Sequence, residues 1–75
     1  MTERFIISGR LDGSLLPWID GHARRIGVAV DFGPRSDSAM ELRVDGPPAL
    51  LDAMEMGCLL GPIDVWIEDI RREPV

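Results

Sequence analysis

The 75-residue chain contains no lysine, no tyrosine and only one cysteine. All eight of its cations are arginines, and thirteen carboxylates outnumber them, giving a formal net charge of −5 at pH 7. A surface this acidic repels phosphate backbones, which argues against a nucleic-acid partner and against an anionic membrane surface. The lone Cys58 excludes an intramolecular disulfide and any multi-cysteine metal site. No apolar run approaches the roughly 20 residues of a membrane span. The opening Met1-Thr2-Glu3-Arg4 has mixed charge and no long apolar stretch after it, unlike a secretory leader. The expectation is a cytoplasmic protein with no membrane partner, forming a single domain over residues 1–75.

Hydrophobic residues make up 45% of the chain and charged residues 28%, an ordinary globular balance rather than a disordered one. A chain of this size buries only about 60% of the surface its unfolded form exposes, so the core is small. Phe5-Ile6-Ile7-Ser8-Gly9-Arg10-Leu11 is short and rich in β-formers, and it ends at the turn Asp12-Gly13-Ser14, which predicts a first strand. Leu15, Ile19, Ala23 and Ile26 then recur at helical spacing. Pro17 suits the first turn of that helix, Arg24 and Arg25 suit its last, and Gly27 is a natural stop.

Val28-Ala29-Val30-Asp31-Phe32 predicts a second strand ended by Gly33-Pro34, and Met40 to Asp45 alternates strictly as a third. Leu50, Ala53, Met54 and Gly57 place one face of a second helix, with Asp52 and Glu55 turned away, and Val65 to Ile70 reads as a last strand. The order β-α-β-β-α-β implies a ferredoxin-like two-layer α+β sandwich, an antiparallel sheet with two helices on one face.

That layout serves several functions, and each demands particular residues. RNA-recognition domains stack bases on aromatics of the central strands, but the first strand offers only Phe5 and the alternating strand none. Metal-carrying domains need a Cys-x-x-Cys loop after the first strand, because soft thiolates select copper and zinc. The corresponding loop is Leu11-Asp12-Gly13-Ser14, without a thiol. A regulatory small-ligand domain stays open.

Ser8-Gly9-Arg10-Leu11-Asp12-Gly13, followed by a helix closing in Ala23-Arg24-Arg25-Ile26-Gly27-Val28, resembles the acylphosphatase family. That family reads S-G-x-V-Q-G-V-x-F-R and then A-x-x-L-G-L. Met40-Glu41-Leu42-Arg43-Val44-Asp45-Gly46-Pro47 resembles its V-E-V-x-x-E-G strand and turn, and Leu59-Leu60-Gly61-Pro62 with Val65-Trp66-Ile67 resembles its second-helix exit and fourth strand. The resemblance implies hydrolysis of the carboxyl–phosphate bond of acyl phosphates. In the family a glycine-rich loop cradles the phosphate with backbone N–H groups, an arginine pairs with it, and an asparagine orients the attacking water. Arginine supplies an always-charged bidentate fork and asparagine an amide that orients water without titrating.

The chain departs at both positions. Ungapped counting from Gly13 puts Pro17 in place of the arginine, and counting from Gly27 to Gly46 puts Pro34 in place of the asparagine. Asp12 stands where the motif has glutamine, bringing negative charge toward the cradle. Each loss is expected to cost on the order of 10²–10³ in rate, by analogy with deleting an oxyanion-hole donor. The expectation is a domain without acyl-phosphate hydrolysis, a non-catalytic binding or interaction module. Asp12, Gly13, Ser14, Leu15 and Leu16 would form a vestigial loop with at most weak affinity for a small anion such as phosphate, and a protein is the other candidate partner. A divergent working acylphosphatase, with Arg35 as surrogate cation, and an unrelated ferredoxin-like regulatory domain are the alternatives.

No cofactor or metal is expected, since Asp31, Asp37, Glu68 and Asp69 match no calcium-loop spacing and read as solvated charge. His22 lacks a nucleophile or carboxylate partner in sequence and reads as a partly exposed helical residue. Cys58 reads as a small buried hydrophobe, and Ser14 as a turn residue or helix cap. Trp18 and Trp66 are either core-edge aromatics or interface anchors, and an exposed Trp66 would mark a partner surface.

Overall fold

The computed structural model describes residues 1–62 and 65–75. Its elements are β1 (Thr2–Arg10), α1 (Leu15–Ile26), β2 (Ala29–Arg35), β3 (Ala39–Asp45), α2 (Pro48–Leu60) and β4 (Trp66–Pro74). The strands form one sheet in the order β2-β3-β1-β4, and every pairing is antiparallel. This is the βαββαβ sandwich that the periodicity predicts. The inward side chains alternate along the two central strands, Phe5 and Ile7 on β1 and Met40, Leu42 and Val44 on β3. Leu15 and Ile19 of α1 and Leu51 and Met54 of α2 close over them, each fully buried. No helix among the described residues is long and apolar enough to cross a membrane.

β1 begins at Thr2 rather than Phe5, and three further elements depart from the sequence expectation. β2 does not stop at Gly33-Pro34 but runs on to Arg35, with a register shift between Phe32 and Arg35. It is an outer strand, where a proline removes no ladder hydrogen bond. α2 buries Leu51, Met54, Gly57 and Cys58, while Leu50 and Ala53 are half-buried, so its apolar face is rotated from the expected one. The reason lies in α1: the Trp18 indole N–H donates to the Gly57 carbonyl at 3.0 Å, and His22 Nε2 lies 3.1 Å from the Ala53 oxygen. A Cβ on Gly57 would run into the His22 ring, so the helices meet there because position 57 has no side chain.

The third departure is β4, which continues past Ile70 to Pro74. Arg72 holds that extension. Its guanidinium reaches Glu3 at 2.6 Å, Asp52 at 2.7 Å and Glu55 at 2.9 Å, and it lies 5.3 Å from the centroid of the Phe5 ring. Asp52, exposed as expected, and the half-buried Glu55 thus both engage β4 through Arg72. Hydrogen bonds to Glu3, Asp52 and Glu55 raise the Arg72 pKa. Replacing Arg72 by methionine keeps the packed stem and leaves three carboxylates facing one another. The expected cost at neutral pH is about 2 kcal/mol, below the 3–5 of a fully buried pair because the site is partly wet. Chemical denaturation at pH 7 in low and high salt checks this: the deficit should shrink as salt screens the repulsion among the carboxylates, and an equal deficit at both would point to packing alone.

Candidate functional site

β1 reaches α1 through the loop 11–14, and β2 turns into β3 through residues 36–38. Backbone hydrogen bonds tie the two connections together. The Gly9 N–H donates to the Ser38 carbonyl at 3.1 Å and the Leu11 N–H to the Asp37 carbonyl at 2.8 Å. Between them lies a cleft of about 500 Å³, lined by Leu11, Asp12, Gly13, Leu16, Pro17, Arg35, Ser36, Asp37 and Met40. Five of the residues singled out from sequence, Asp12, Gly13, Leu16, Pro17 and Arg35, thus meet in one place. Ser14, Leu15 and Pro34 are not among the lining residues. Leu15 is fully buried in the core, and Pro34 stands one residue before Arg35, beside shallower hollows along β2.

Two of the loop's backbone donors already have acceptors. The Ser14 N–H donates to Asp12 Oδ1 at 2.8 Å, and the Leu15 N–H donates to the Asp12 carbonyl at 3.0 Å. Asp12 therefore forms an Asx turn whose carboxylate sits where an incoming anion would seek those amides. Ser14 is the N-cap of α1 by position, but its side chain makes no capping bond; the carboxylate two residues earlier serves instead. Pro17 has no N–H to contribute. Gly13 is not among the positive-φ glycines, which are Gly9, Gly27 and Gly61. With Asp12 and Asp37 against Arg35, the lining carries more negative than positive charge, which opposes binding of a dianion.

The sequence did not point to Ser36 and Asp37 as cleft residues. Their contribution depends on backbone bonds to Leu11 and Gly9, more than 25 positions away in the chain, which local periodicity does not encode. The spacing Asp12-Gly13-Ser14 at a helix start was the available signal for the Asx turn.

No family model matches the chain. An acylphosphatase of Rhodospirillum rubrum is 33% identical to it over 70 residues, covering 92% of this chain and 77% of the relative. The chain belongs to the acylphosphatase family. The fold agrees: the crystal structure of acylphosphatase from Bacillus subtilis superposes with a TM-score of 0.85 at 22% identity, covering 95% of this chain and 80% of that one. An acylphosphatase structure from Coxiella burnetii gives a TM-score of 0.86 at 15% identity, covering 99% and 79%. The reading of an unrelated ferredoxin-like regulator is thereby overturned.

The remaining candidates in this acylphosphatase-family domain lie away from the cleft. His22 is the partly exposed helical residue the sequence predicts, half-buried with its ring between the helices. Among the described residues no group of three His, Cys, Asp or Glu side chains is placed to hold a metal ion. Cys58 is buried, and its thiol is pushed up from 9.0 to about 12, first by loss of solvation and second by the Glu55 charge. Burial favours the protonated thiol in the folded state, so this contribution to stability is present below pH 9 and is lost as pH rises from 9 toward 12. Alkylation at pH 8 is expected to run about a thousandfold slower in the folded than in the urea-unfolded chain. Comparable rates in the two states would contradict the burial.

Proposed function

We propose that this domain does not hydrolyse acyl phosphates and acts as a non-catalytic binding or interaction module, with at most weak affinity for small anions. The observation that carries the reading is the 2.8 Å bond from the Ser14 N–H to the Asp12 carboxylate. A donor already bound to an internal anion must exchange that partner for phosphate, and the exchange gains little while the carboxylate stays beside the newcomer and repels it. The prolines at positions 17 and 34 add to this. Neither can supply the charged fork or the water-orienting amide that the family uses. Hydrolysis of a simple acyl phosphate, measured against the uncatalysed rate, tests the proposal. A rate indistinguishable from background supports it, and a clear acceleration by the folded chain contradicts it.

The alternative, a divergent active acylphosphatase, gains one point from the geometry: Arg35 lines the same cleft as Asp12, Gly13 and Pro17. If Arg35 were a working cation, Arg35→Gln would abolish any measured rate while leaving the fold intact. Arg35 is exposed, so that substitution is structurally mild.

A further inference from the structure

β4 forms one border of the sheet, and its outer edge carries backbone groups that no described strand pairs. Such edges template pairing with another chain unless they are blunted. The opposite border, β2, is blunted by Gly33-Pro34 and by its irregular register. β4 has no lysine, and its only proline stands at its last position, Pro74. A register shift against β1 follows Ile67, where Ser8 pairs with Asp69 and Gly9 with Ile67. Beyond that shift the strand runs regularly through Asp69, Ile70 and Arg71.

The order of charges on this edge is self-complementary. Directly opposed residues of an antiparallel pair point to the same face, and a two-fold axis normal to the sheet keeps that face. An axis through Ile70 sets Asp69 of one copy opposite Arg71 of the other, twice, with Ile70 against Ile70 on the helix side. Asp69 pairs with Ser8 and Arg71 with Ile6 on β1, so both occupy the open face, and both are exposed. Moving the axis by half a residue opposes outward with inward side chains. Moving it by a whole residue brings Asp69 onto Asp69 or Arg71 onto Arg71. Of these axes, only the one at Ile70 matches both face and charge.

The helix layer fits the same axis. Glu55 of α2 reaches Arg72, and a Cβ on Gly61 would lie 3.9 Å from Ile67. α2 therefore runs antiparallel to β4, and Leu59, one turn beyond Glu55, shares the side of the helix that carries Glu55. Leu59 is 51% exposed, a large apolar side chain available to a second copy. We propose that two copies of this chain pair through β4 about a two-fold axis at Ile70, joining their sheets into one of eight strands. This inference rests on the sheet edge and does not depend on the chemistry of the cleft.

Sedimentation of the whole chain from micromolar to near-millimolar concentration tests it. The expected species is twice the 8.3 kDa of the single chain. Asp69→Arg alone and Arg71→Asp alone each turn two attractive cross-strand pairs into repulsive ones, so each is expected to weaken the dimer about tenfold or more. An equimolar mixture of the two variants restores attraction at both positions and should recover a mixed dimer. Circular dichroism confirms that each variant is folded. A wild-type chain that stays monomeric throughout overturns the proposal. So does a dimer indifferent to both substitutions, or a mixture that fails to associate.

Discussion

A chain carrying Asp12→Gln, Pro17→Arg and Pro34→Asn together is expected to hydrolyse acyl phosphates about a hundredfold faster, or more, than the unmodified protein. The structure makes room for each change. Pro17 is exposed on the cleft wall in the first turns of α1, so an arginine there reaches the cavity without crossing the core. Pro34 lies on the exposed border strand, where an asparagine restores a side-chain amide and a backbone N–H at no packing cost. Replacing Asp12 removes the carboxylate that now holds the Ser14 N–H and reverses part of the cleft's negative balance. The three act as one unit, since a phosphate clamp without free loop donors binds poorly, and such groups are strongly non-additive. Pro17→Arg alone should therefore gain far less than the triple change. A folded triple variant with no gain would show that the loop no longer adopts the geometry the family chemistry needs.

Replacing Gly9 by alanine is expected to destabilise the fold by about 3 kcal/mol and to lower the melting temperature by more than about ten degrees. Gly9 has φ +150°, a backbone region that side chains disfavour, and it sits at the register shift between β1 and β4. An added Cβ would run into the Trp66 carbonyl oxygen and stand 2.8 Å from the Glu68 nitrogen. Both obstacles are backbone, so relief requires β4 to move away from β1. The same residue donates its N–H to Ser38, so the damage should spread to the cleft. Gly13 is the control: an added Cβ there meets nothing within 4 Å, and Gly13→Ala should stay within about 0.5 kcal/mol of the parent. Equal melting temperatures for the two variants would contradict the assignment of the close approach to Gly9.

The fold was legible because its signals are local. Alternation from Met40 to Asp45 and helical spacing from Leu15 to Ile26 each decide an element without reference to the rest of the chain. Gly27 bears this out, ending α1 at φ 80° with its N–H on the Ala23 carbonyl. What was hidden depends on neighbours distant in sequence. Arg71-Arg72-Glu73 looks like a polar tail, yet it extends β4 because Arg72 lies over Phe5 and binds Glu3. Pro34 looks like a strand breaker, yet β2 passes through it because the strand is at a border. Leu50 and Ala53 look like core positions, yet His22 and Trp18 draw that side of α2 toward α1. Trp66 was legible only as a choice between core and surface, and at 69% exposed it lies on the surface.

For the site, counting along the chain found Pro17, Pro34 and Asp12, and the structure gathers Pro17, Asp12 and Arg35 around one cleft. Counting does not show where a carboxylate points. The substitution of aspartate for the motif's glutamine changes one atom type and one methylene, but it lets the side chain turn back onto its own loop.

The most direct measurement is a titration of the 75-residue chain with inorganic phosphate while the backbone amide resonances are followed. With the Ser14 and Leu15 donors held by Asp12, the resonances of residues 12–16 should not shift saturably at millimolar phosphate. Asp12→Gln in the same experiment should bring such shifts into that range. Saturable shifts confined to residues 12–16 of the unmodified chain, at millimolar phosphate or below, would contradict the account.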